Sequence, residues 1–108
     1  MAAEYMHTGI PVTEKKEGMI YAEGMKIWMT EDPNAYDYKI EYLIFEEGNP
    51  FPEIMHTNPH VAFKVDDMTP YVEQADETIF GPVDVKENVR LAFVIQDGVI
   101  IELYEDKN

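Results

Sequence analysis

Two stretches decide how this chain reads: His7-Thr8-Gly9-Ile10-Pro11-Val12 near the start and His60-Val61-Ala62-Phe63-Lys64-Val65 past the middle. Both follow the order His, any residue, small, apolar, any residue, Val. Each has the period-two alternation of a half-buried strand. Working outward, each is followed by a second strand with a glutamate between bulky apolar residues. These are Ile40-Glu41-Tyr42-Leu43 and Ile101-Glu102-Leu103-Tyr104. One pattern stated twice suggests two half-domains. One His and one Glu from the strands of each suggest a four-ligand metal site at a pseudo-twofold axis.

Strand alternation places His7, Gly9 and Pro11 on one face, and His60, Ala62 and Lys64 on the corresponding one. Ile10 and Val12, or Phe63 and Val65, take the other. Each His is therefore expected to point away from the greasy face of its strand, toward a cavity. Glu41 and Glu102 lie in strands too apolar for ordinary exposed carboxylates, and a buried charge needs a partner or a metal. The competing reading sets both on the wet face of an antiparallel sheet.

Further strands are expected over residues 5–12, 25–30, 36–45, 79–85, 89–96 and 99–105. Glu31-Asp32-Pro33-Asn34-Ala35 is a turn cluster that would join 25–30 to 36–45 as a hairpin, and Asp97-Gly98 is a two-residue hairpin turn. Glu14-Lys15-Lys16-Glu17-Gly18 leaves room for one helical turn at most. Asp66-Asp67-Met68-Thr69-Pro70 starts a short helix over 70–76, with Thr69 as N-cap and Pro70 at the first helical position. Residues 47–59, with Gly48 and three prolines, read as a linker between a module at about 5–46 and one at 60–105. The second module is β-α-β-β-β, and the first is the same with its helix reduced. The methionines and aromatics at 19–29 read as core and interface. Glu46-Glu47 and Glu105-Asp106 read as turns and a frayed end.

At 108 residues the chain makes one domain, 1–108. Its 45% hydrophobic and 12% aromatic content argues against disorder. A net charge of −14, from 22 acidic and 8 basic residues, repels phosphate backbones and anionic membranes, so neither nucleic acid nor membrane is an expected partner. The absence of cysteine excludes disulfides, thiolate catalysis and Cys-ligated zinc or iron–sulfur sites. No apolar stretch approaches the roughly 18 residues of a membrane span, and the first residues lack the features of a signal peptide. A cytoplasmic protein is expected.

The chain resembles the vicinal oxygen chelate superfamily, which includes glyoxalases, bleomycin-resistance proteins and extradiol ring-cleaving dioxygenases. The resemblance runs from Met6 to Glu105. It is strongest in Pro59-His60-Val61-Ala62-Phe63-Lys64-Val65-Asp66-Asp67 and from Arg90-Leu91-Ala92-Phe93-Val94 through Ile101-Glu102-Leu103-Tyr104-Glu105. It implies an α+β fold of two paired βαβββ modules whose curved, mostly antiparallel sheet surrounds a cavity. It also implies a divalent metal held by His7, Glu41, His60 and Glu102. The reduced first helix and the short chain depart from the enzymes, so the match is to a compact branch rather than one with a defined reaction.

Two imidazoles and two carboxylates suit Zn²⁺, Ni²⁺, Co²⁺, Mn²⁺ or Fe²⁺. The expected activity is metal-dependent isomerisation, epimerisation or lyase chemistry next to a carbonyl of a small oxygen-chelating substrate. Glu102 or Glu41 would carry the proton. The alternative is a non-catalytic protein of the bleomycin-resistance type that sequesters a small molecule. Arg90, Trp28 and His56 are candidate substrate contacts. Arg90 either faces the cavity or pairs with an acidic side chain, and Lys64 carries the same two readings. Trp28, with Tyr42, is either core or an apolar cavity wall. His56 is a linker residue at a pocket edge with a possible acid–base role. Exposed Trp28 and methionines suggest a homodimer, its modules paired within one chain or exchanged between two.

Overall fold

The computed structural model of the protein describes residues 3–108. Its described residues hold eight strands, one six-residue α-helix and two short 3₁₀ turns. The fold is thus mostly β, and the helical share of the expected α+β class shrinks to a single segment. The described residues form two compact units, residues 7–59 and residues 60–108 together with residues 3–6.

In the unit of residues 7–59, β1 (Glu4–Pro11, here from His7), β2 (Met19–Ala22), β3 (Ile27–Thr30) and β4 (Ile40–Phe45) lie in the order β2-β3-β4-β1. β1 and β4 run parallel with Gly9 opposite Glu41, while β2–β3 and β3–β4 are antiparallel. β2 lies outside the expected strands, among residues that read as core and interface. It is only four residues long and half exposed, which leaves little periodicity to detect. β3 and β4 start later than expected because Lys26 and Lys39 adopt φ of 53° and 52°, left-handed values that end a turn. A 3₁₀ turn at Pro33–Ala35, capped by the Asp32 carboxylate on the Asn34 N–H, takes up the residues between.

No α-helix forms among residues 7–59. Residues 47–59, expected as a linker, fold into this unit. Phe51 and Met55 are buried, Phe45 meets Phe51 edge-on at 5.9 Å, and a second 3₁₀ turn spans Glu53–His56.

In the unit of residues 60–108, β5 (His60–Val65), α1 (Thr69–Gln74), β6 (Glu77–Lys86), β7 (Val89–Gln96) and β8 (Val99–Asp106) follow the expected β-α-β-β-β order. The strands lie as β5-β8-β7-β6, with β5 and β8 parallel and the other neighbours antiparallel. Asp97 and Gly98 turn β7 into β8 with φ of 56° and 78°, the two left-handed residues that a type I′ hairpin requires.

One face of this sheet packs on the helix through Val65, Met68, Ala92, Val94 and Leu103, against Tyr71, Val72 and Ala75. The helix starts at Thr69, one residue earlier than expected, so Thr69 does not cap it. Carboxylates from outside the helix do that work: Asp67 Oδ1 accepts from the Thr69 N–H, and Glu105 Oε2 from the Met68 N–H.

Gly81 has φ 76°, and a Cβ there would stand 2.5 Å from the Leu91 carbonyl oxygen and 3.3 Å from Ala92 Cα. Both obstacles are backbone of the neighbouring strand, which cannot step aside without breaking the ladder. Gly81→Ala is therefore expected to cost about 2 kcal/mol or more, read from the urea midpoint at unchanged m.

Candidate metal centre

Within residues 7–59, His7 and Glu41 come from parallel neighbours in register, Gly9 lying opposite Glu41. Both side chains are buried, and His7 Nε2 stands 3.4 Å from Glu41 Oε1. Alternation puts them on one face with Leu43, Phe45 and Met29. Within residues 60–108 the arrangement repeats: β5 and β8 are parallel neighbours with Ala62 opposite Glu102. His60 and Glu102 are both buried, with His60 Nε2 3.1 Å from Glu102 Oε1. The His60 ring also meets Phe93 edge-on at 5.2 Å, which holds the imidazole in place.

Each unit thus brings together the His and the Glu that the sequence nominated, and burial of both carboxylates removes the wet-face reading. One detail differs from expectation. The His side of each strand is well covered: His7, Gly9, His60 and Ala62 are buried, while Ile10 and Phe63 on the supposed greasy side are only half-buried. Both faces of each strand are covered in part, so a polar residue on the quieter side of the alternation still ends inside.

Arg90 does not share a face with His60 and Glu102. It lies opposite Glu105 in the β7–β8 ladder, on the helix-packed side with Ala92 and Val94, whereas Phe93 lies opposite Glu102. The ion-pair reading of Arg90 holds, and the residue stands on the other face of the sheet from the His60–Glu102 pair. Its Nε and one terminal nitrogen donate to the two Glu105 oxygens at 3.0 and 3.1 Å. Trp28 is displaced in the same way. It lies opposite Ile44, so it occupies the face away from Glu41 and Leu43, and its Nε1 donates to Glu46 Oε2 at 3.0 Å. A wall around Glu41 cannot include it. Lys64 is exposed on the His60 side.

His56 stacks on Phe45 at 4.7 Å, and Phe45 shares the Glu41 face. Its Nε2 lies 3.1 Å from Asn49 Oδ1 and 3.3 Å from the Phe51 carbonyl, both acceptors, so Nε2 carries the proton in the neutral ring. The Asn49 amide is oriented by donating to the Glu46 carbonyl and accepting from the Phe51 N–H.

Glu105 was read as part of a frayed end, yet it is only 2% exposed. The Arg90 guanidinium holds its carboxyl below the usual range, the Met68 N–H assists, and burial opposes. Its folded pKa is depressed, so its contribution is complete above the unfolded value and is lost as pH falls through the folded one. Stability is expected to drop in acid below the ordinary carboxylate range. Glu105→Gln should lack that part of the drop in pH-dependent urea melts.

Each pair, His7 with Glu41 and His60 with Glu102, offers a buried imidazole and carboxylate of the kind that metal ions take. Imidazoles and carboxylates without thiolate match borderline-to-hard divalent ions. Fold and site together define a mostly β protein of two units, each with a buried His–Glu pair on parallel strands. No family model and no curated protein matches the chain. A crystal structure of a hypothetical protein from Bacillus halodurans is similar at 22% identity. The match covers 100% of this chain and 97% of that one, with a TM-score of 0.63. That likeness concerns the fold. No helix among the described residues is long and apolar enough to cross a membrane.

Proposed function

We propose that the chain is a divalent-metal-binding protein of the vicinal oxygen chelate type, with His7, Glu41, His60 and Glu102 holding one ion. In this reading it acts as an isomerase, epimerase or lyase next to a carbonyl of a small oxygen-chelating substrate, as a cytoplasmic homodimer. One observation carries it: a buried His–Glu pair stands at the same place in both units, on the parallel first and last strands. A single buried pair is an ordinary structural solution. The same pair built twice, at matching registers, is what a shared ligand demands.

When bound, such an ion polarises a carbonyl and stabilises the anion formed beside it. The chain's own residues supply the rest. Burial keeps water from the carboxylates and strengthens every charge interaction there. Glu102 or Glu41 is the proton carrier.

A second reading has an observation of its own. Without a helix, residues 7–59 offer little chain to close over a substrate, which favours a binding protein that does no chemistry. Elemental analysis of protein purified without added metal comes first, and stoichiometric divalent metal is the expected result. Protein that stays metal-free after reconstitution would defeat both the site and the enzyme. Deuterium exchange at the α-carbon of 2-oxo and 2-hydroxy acids then separates enzyme from binder. Metal without exchange across the panel supports the binder.

A further inference from the structure

The outer face of residues 7–59 carries a second constellation, independent of the His–Glu pairs. In the unit of residues 60–108 the corresponding face is covered by α1. Among residues 7–59 no α-helix is present, and Lys15 and Lys16 of the loop between β1 and β2 lie over that face instead. Tyr21 and Trp28 are cross-strand partners with ring centroids 5.0 Å apart and planes tilted by 46°. Glu46 ties them together. Its carboxylate accepts from Trp28 Nε1 at 3.0 Å and hydrogen-bonds the Tyr21 hydroxyl, whose pKa is raised by partial desolvation and then by Glu46. An aromatic wall backed by a carboxylate is the chemistry that recognises an organic ammonium.

A cation already sits there. Lys15 Nζ lies 3.7 Å from the centre of the Trp28 ring, and Lys16 Nζ stands 4.9 Å from that of Tyr42. Both lysines come from the exposed loop that ends at Gly18, which takes a left-handed φ of 87°. A protein of net charge −14 also draws cations toward its surface. We propose that the Tyr21–Trp28–Glu46 face is a binding site for a small alkylammonium group, and that Lys15, with Lys16 beside it, occupies it as an internal competitor until an external cation displaces the loop.

Trp28 is the single tryptophan, so its emission reports the site alone. Tetramethylammonium chloride is titrated into wild type and into Lys15→Ala/Lys16→Ala, against sodium chloride at equal ionic strength. If the loop leaves the ring open about a tenth of the time, removing the lysines tightens apparent binding about tenfold. The double variant Lys86→Ala/Lys107→Ala, with the same change in charge, is expected to keep the wild-type midpoint. Glu46→Gln added to the Lys15/Lys16 variant should weaken binding several-fold. No saturable change beyond the salt control in the folded Lys15/Lys16 variant overturns the site. Equal midpoints in wild type and that variant overturn the competition.

Discussion

His60→Ala is expected to abolish stoichiometric divalent-metal binding, with affinity lowered at least about a hundredfold. Losing even an outer-shell partner costs about 10–100-fold, and His60 is proposed as a direct ligand. The variant also leaves the Glu102 carboxylate, 3.1 Å away, without its imidazole in buried surroundings. A fall in stability could then imitate a fall in affinity, so Glu102→Gln, which keeps volume and removes charge, serves as the second variant. His7→Ala and Glu41→Gln should behave alike, because the two pairs occupy matching positions. His56→Ala is the control. Its ring is engaged with Asn49, Phe51 and Phe45, outside the proposed ligand set, and it should keep full metal content. Calorimetric titration with Zn²⁺ and Ni²⁺ and elemental analysis give the answer. Wild-type stoichiometry and affinity in both His60→Ala and Glu102→Gln would sink the proposal.

Glu105→Ala should be the most destabilising single change outside the proposed site, at about 3 kcal/mol, because it strands partners that a buried carboxylate had satisfied. Glu105 receives both Arg90 hydrogen bonds and the Met68 N–H that opens the helix. Its removal unlocks β7 from β8 at that point and takes the helix start with it. Arg90→Met strands the buried Glu105 carboxylate with only the Met68 N–H to receive, so it should cost about 2 kcal/mol at neutral pH and less in acid, where that carboxyl takes a proton. For a domain of this size Glu105→Ala corresponds to a fall in Tm of about 10 °C. Equal effects of the two substitutions would show that the helix N–H adds nothing, and that the pair alone matters.

Much of the frame was legible in the residues. Asp97-Gly98 announced the β7–β8 hairpin because few dipeptides accept two consecutive left-handed residues. The flanking apolar residues of Glu41 and Glu102 announced burial correctly. β2 was missed because a half-exposed strand of four residues has no periodicity long enough to read. The Gly- and Pro-rich stretch after Phe45 looked like a linker because breakers mark irregular backbone, which can still be packed, as Phe51 and Met55 are.

Arg90, Trp28 and Glu105 show where such reading stops. Alternation correctly grouped Arg90 with Ala92 and Val94, but nothing local said that the helix lies on that side. Trp28 and Glu105 each sit where a partner distant in sequence, Glu46 or Arg90, makes the environment. The sequence by itself determined the repeat, the succession of elements along the second module and the four polar residues worth watching, since these follow from periodicity and turn chemistry. Only the tertiary structure decided which face of each sheet meets the helix, the loop or the His–Glu pair. A strand has two faces of equal standing, and what covers each is set by chain far away in sequence.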